Sequence, residues 1–118
     1  MARVLVHLAT GPEHPTRAAL ALLVARTAAG EGHDVRVFLA GDAVQLARPE
    51  TAEAVHGIGT GSLAEHWDAL ADQGVAVFLS GLSSKARAVD AATRGGIELA
   101  PPEKLVELAV WAETTLTY

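Results

Sequence analysis

The 118-residue chain contains no cysteine. That single absence excludes disulfides, thiolate nucleophiles, persulfides, thiolate metal sites and thiol redox sensing. Basic residues are also scarce, with nine Lys plus Arg against fourteen Asp plus Glu and a net charge of −5. The surplus of positive charge that phosphate-backbone binding needs is missing, so nucleic acid is not expected as a main partner. No long apolar run is present. The longest, Ala18 to Ala25, is ended by Arg26 and falls far short of the roughly 20 residues that span a bilayer, so no membrane partner is expected either. The apolar stretch after Met1-Ala2-Arg3 is too short for a signal sequence and reads as a strand, which places the protein in the cytoplasm. Aromatic residues make up only 4% of the chain while hydrophobic residues make up half. This composition favours close helix contacts over deep pockets, and the length suits one domain over 1–118.

What is present is an alternation of strand and helix signals. Val4, Leu5, Val6 and Leu8 form a strand buried on both faces, ended by Thr10-Gly11-Pro12. Pro15 opens a helix that carries Leu20, Leu23, Val24 and Thr27 at helical spacing, and Gly30 and Gly32 stop it. The opposite face of that helix, with Ala18, Ala21, Leu22, Ala25 and Ala29, is also apolar, so it should pack on two sides: the sheet and a neighbouring subunit. Val35 to Leu39 is the second strand, and Asp42 is placed to cap a short helix through Ala47. Residues 48–61 are the least regular, interrupted by Pro49 and by Gly57-Ile58-Gly59-Thr60-Gly61. Ser62-Leu63-Ala64-Glu65 matches a capping box and starts a helix to about Gln73. Val75 to Leu79 is a third buried strand, followed by Ser80 to Ser84 and a helical segment through Ala86, Val89 and Ala92. Gly95-Gly96 precedes a very short strand, Ile97 to Leu99. Pro101-Pro102 then opens a last helix with Leu105, Leu108, Ala109 and Ala112 on one stripe, and Leu116 to Tyr118 adds an extended piece.

Crossovers this long predict an α/β fold in three layers, helix/sheet/helix, around a mostly parallel sheet of about five strands. In such sheets ligands lie beyond the carboxyl ends of the strands. The residues gathered there are His7, Thr10, Gly11, Glu13 and His14, then Gly41 and Asp42, then Ser80, Gly81, Ser83, Ser84 and Lys85.

Three stretches together resemble the DsrE/DsrF family, which includes sulfur-relay subunits of tRNA thiolation and YchN-like proteins. They are Gly11 to Ala19, Glu31 to Val44, and Gly74 to Gly81 with Lys85 to Ala88 and Gly96 to Leu99; only residues 48–61 lack a counterpart. The resemblance implies a layered domain that assembles as a trimer or hexamer and whose sulfur-handling members carry a persulfide on a cysteine just after the third strand. It places Ser80 and Ser83 where YchN-type sequences have cysteines. A hydroxyl has the size but not the thiolate chemistry, so sulfur transfer by the chain's own residues is excluded.

Ser83 and Ser84 could present hydroxyls and N–H groups to a small anion, with Lys85 adding charge, or simply cap their own helix. The string is neither Gly-x-Ser-x-Gly nor Ser-x-x-Lys, so serine-hydrolase signatures fail. His7, His14 and Asp42 share an edge, but their spacing matches no metal motif, and neither a metal nor a cofactor is expected. His7 reads as a strand-end residue partnered by backbone, His14 as a cap, His33 as a turn residue, and His56 and His66 as exposed. The glycine-spaced segment 57–61 follows no strand and lacks the lysine of a phosphate loop. Trp67 and Trp111 suit either core packing or a subunit contact. The reading that joins these observations is a cytoplasmic homo-oligomer without sulfur-carrier chemistry, a binding or accessory protein whose ligand pocket is lined by Gly11, Glu13, His14, Asp42, Ser80, Gly81, Ser83 and Ser84. Two alternatives remain at this level: an enzyme acting on a small polar or phosphorylated molecule through His14 or Glu13, and a non-catalytic subunit of a sulfur-relay hetero-complex.

Overall fold

The computed structural model describes residues 1–90 and 96–118, so the expected positions of Ala92 and Gly95 lie outside the described residues. In chain order it has strand β1 (Arg3–Leu8), helix α1 (Pro15–Gly30), β2 (Asp34–Leu39), a 3-10 helix (Gly41–Ala47) and α2 (Pro49–Ala54). A small hairpin, β3 (His56–Gly57) and β4 (Gly61–Ser62), leads to α3 (Leu63–Asp72), β5 (Ala76–Ser80) and α4 (Gly81–Ala86). The chain closes with β6 (Ile97–Ala100), α5 (Pro102–Trp111) and β7 (Thr114–Thr117).

The five longer strands form one sheet in the order β6-β5-β2-β1-β7, and every neighbouring pair is parallel. Alternation along the strands divides the interior in two. On one face Val4, Val6, Leu8, Val37, Leu39, Val77 and Leu79 pack with residues of α1, α2 and α3. On the other Leu5, Phe38, Phe78 and Ala100 meet Leu108 of α5, which is the described helix that covers that side. The Arg36 guanidinium lies 4.0 Å from the Trp111 ring centre, and Arg3 Nε donates to the Trp111 carbonyl at 2.7 Å. These contacts pin the end of α5 to β1 and β2 and use the cation on the aromatic face.

Several local expectations change in the folded chain. The alanine face of α1 is the one buried against the sheet, through Ala18, Ala21, Leu22 and Ala25. Small side chains let helix and sheet approach closely, and Leu20, Leu23 and Val24 are turned outward and stay half-buried. Pro49 starts α2 rather than interrupting the chain, as a first-turn proline can. The glycine segment is an ordered hairpin: Ile58 N–H donates to Thr16 Oγ1 and the Thr60 hydroxyl donates to the Thr16 carbonyl, each at 3.1 Å.

His66, expected on the surface, is only 4% exposed. Its Nε2 lies 2.6 Å from the Thr60 carbonyl and its Nδ1 lies 3.1 Å from Arg26 Nη1. A carbonyl can only accept and a guanidinium can only donate, which puts the ring proton on Nε2. Trp67 belongs to the core, 2% exposed, with Nε1–H donating to the Leu46 carbonyl at 2.9 Å. Trp111 is half-buried under Arg36, so both indoles serve intrachain packing. His33 holds a structural turn position, Nδ1 accepting from Ala2 N–H at 3.0 Å.

Candidate functional site at the carboxyl ends of the strands

The loops after β1 and β2 lead to α1 and the 3-10 helix on one face of the sheet, and β5 runs directly into α4, which packs on that 3-10 helix, whereas Pro101 after β6 leads to α5 on the other face. Neighbouring strands β5 and β6 therefore send their chains to opposite faces. Divergence of this kind opens a crevice, and in open α/β sheets that is where ligands bind. A cleft of about 440 Å³ lies there, bordered by Gly81, Leu82, Leu99, Ala100, Pro101 and Glu103. A larger cavity of about 570 Å³ lies at the opposite, amino end of the strands, between Trp67, Leu70, Val77 and Ile97. Its walls bring together none of the candidate groups.

Beside the crevice the hydroxyls and charges form a connected set. Ser80 ends β5 and caps α4, its Oγ accepting from Ser83 N–H at 3.2 Å. Ser83 Oγ accepts from Gly41 N–H at 2.8 Å, which ties the end of β2 to the start of α4. Gly41 has φ of +57°, a conformation that glycine adopts without strain. Arg87 donates to Asp42 Oδ1 through Nε at 3.2 Å and Nη2 at 3.1 Å, and to the Ser83 carbonyl through Nη1 at 3.2 Å. Arg48 Nη2 in turn donates to the Arg87 carbonyl at 2.8 Å.

Asp42 is thus no helix cap, since Ala40 holds that position and makes no side-chain bond; its carboxylate is engaged by Arg87 instead. Gly11 joins the set by proximity. It is buried, and a Cβ there would overlap the Asp42 carbonyl oxygen.

The other candidates serve their own loops or the core. Glu13 Oε2 accepts from Gly11 N–H at 3.1 Å, and His14 Nδ1 accepts from Arg17 N–H at 3.4 Å as the cap of α1. Ser84 is 1% exposed and its Oγ has no hydrogen-bond partner, so it turns into the core rather than toward a ligand. The His7 ring packs 6.3 Å from Phe38, and its Nε2 is buried without a partner rather than held by backbone. Burial lowers its pKa from the usual histidine value, because a charged imidazole there would lose its hydration. Among the described residues no group of three or more His, Asp and Glu side chains could hold a metal ion. Arg87 and Arg48 were not singled out from the sequence. The four-residue spacing from Ser83 to Arg87 is the signal that could have found the first, since it puts both on one helix face.

The architecture and the site define a parallel-sheet α/β domain with hydroxyls rather than thiols where its third long strand meets its helix. The chain belongs to the DsrE/DsrF-like family, which matches it over residues 2–118. The crystal structure of the YchN protein from E. coli superposes with a TM-score of 0.80 at 21% identity, over all of both chains. That likeness is one of fold. No curated protein matches the chain. No described helix is long and apolar enough to cross a membrane.

Proposed function

We propose that the protein is a cytoplasmic homo-oligomer, a trimer or hexamer, that acts by binding. It is an accessory member of a family related to sulfur relay, and its carboxyl-edge loops receive a small anionic ligand or a sulfur-relay partner without passing sulfur on. One observation carries this reading: Ser80, at the end of β5, and Ser83, in the first turn of α4, are acceptors of backbone N–H groups, in a chain without a thiol. The loop is built and rigidly tied, yet holds no nucleophile suited to sulfur. Large apolar side chains left in solvent support association with other chains, notably Leu82 at 67%, Val106 at 63% and Val110 at 81% exposed. Proton-transfer chemistry by Glu13 or His14 has less support, because each is engaged in holding its own loop.

The ligand part of the reading is tested by titrating the purified protein with thiosulfate and with sulfate while following backbone amide resonances. Saturable shifts at Gly41, Gly81 and Ser83 are expected. Unchanged spectra, or shifts confined to other elements, would remove the small-anion reading and leave the protein-partner one.

A further inference from the structure

We infer that the outward face of α1 is where a second copy of this chain docks, the two helices packing antiparallel about a two-fold axis near Val24. This rests on the homo-oligomer reading above and names its surface. α1 is a surface helix of 16 residues, about 24 Å long. A surface helix ordinarily turns charge to the solvent. Here the outward positions Leu20, Leu23, Val24 and Thr27 carry none, and their spacing of three and four residues makes a continuous seam. The Thr27 hydroxyl already donates to the Leu23 carbonyl at 2.7 Å, so covering it strands no donor. Ile58 is 90% exposed and is held beside the seam by Thr16, at the tip of the glycine hairpin.

The charges at the two ends of α1 select the partner. Arg17 lies in the first turn and Glu31 at the C-cap, and the helix has no acidic residue in its first turn and no basic one in its last. Both signs oppose the helix dipole. Both side chains are exposed, and neither has an ion-pair partner among the described residues. In an antiparallel pair centred on Val24, residues whose numbers sum to 48 come opposite each other. Arg17 then meets Glu31 of the second copy, twice by symmetry, while Leu20 comes beside Thr27 and Val24 meets itself, all of them outward positions. An isologous contact of this kind requires a self-complementary patch, and the same operation that buries the leucines gives each unpaired charge its opposite. Being a two-fold, the contact would join two trimers into a hexamer.

The test measures assembly mass by light scattering for wild type, Arg17→Glu, Glu31→Arg and the double charge swap, with circular dichroism to confirm folding. Each single variant should halve the copy number or weaken association by about tenfold or more, and the double swap should recover it. Because the chain has no other cysteine, Val24→Cys should form a disulfide-linked dimer under mild oxidation, whereas Glu50→Cys, exposed on α2, should not. An assembled wild type whose single charge variants stay assembled, with Val24→Cys failing to cross-link, would overturn this surface while leaving the oligomer intact. A wild type that is monomeric throughout would overturn the surface and the oligomer reading together.

Discussion

Replacing Ser83 with alanine removes the acceptor for Gly41 N–H, a bond of 2.8 Å that fastens the end of β2 to α4. Gly41 is half-buried, and leaving its N–H unpaired costs about 2 kcal/mol, within the usual range for a stranded donor. For a domain of this size that corresponds to a fall of about 8 °C in melting temperature. The adjacent serine provides an internal control with the opposite sign. Ser84 is 1% exposed with an unpartnered Oγ, so Ser84→Ala deletes a buried polar group that has no bond to lose. It should leave stability unchanged or raise it by about 1 kcal/mol, helped by the better helix propensity of alanine. Urea denaturation of the two variants and the wild type, with the transition slopes compared, separates these outcomes. A Ser83→Ala midpoint within about 0.5 kcal/mol of wild type would refute the role given to that hydroxyl, as would an equal loss in Ser84→Ala.

Gly11→Ala should cost about 3 kcal/mol, because the new Cβ meets the Asp42 carbonyl, a backbone atom that cannot rotate away; a thermal melt close to wild type would show that the two loops do not touch. His7 makes stability depend on pH. Its folded pKa is lowered by burial, so the unfolded chain takes up the proton first, and stability falls as pH drops from about 6.5 through the lowered folded value. His7→Leu should remove that component, seen as a smaller difference between urea midpoints at pH 7.5 and pH 5. Ser83→Cys or Ser80→Cys should produce a thiol activated by the N–H donors that now serve the hydroxyls. Alkylation about tenfold faster at neutral pH than for the exposed Glu50→Cys is expected, together with uptake of sulfur from a persulfide donor. Inertness of both variants would mean that the loop no longer holds the family's geometry.

Strands β1, β2 and β5 were legible because each is a short run rich in Val, Leu and Phe soon followed by glycine or proline, and burial on both faces needs such runs. The exclusion of thiol chemistry was legible because it rests on composition alone. Strand order was not, since β7 returns to pair with β1 across 110 residues of sequence and nothing local encodes that pairing. The face of α1 that packs inward was equally hidden. Leucine and alanine stripes are both apolar, and the choice between them depends on how closely the sheet lets the helix approach. At the site, Ser80, Ser83 and Asp42 were found by their place after strands, while the links from Ser83 to Gly41 and from Asp42 to Arg87 span 42 and 45 residues and exist only in three dimensions. Pro49 and the glycine hairpin were read as breaks because turn chemistry marks direction changes without saying what the chain packs against afterwards.

The central claim is that the protein works as an assembled binding protein and not as a sulfur carrier. Native mass spectrometry on the protein as purified reads assembly mass and any retained small molecule together. A trimer or hexamer carrying a defined extra mass is the predicted result; a bare monomer would contradict both the assembly and the ligand.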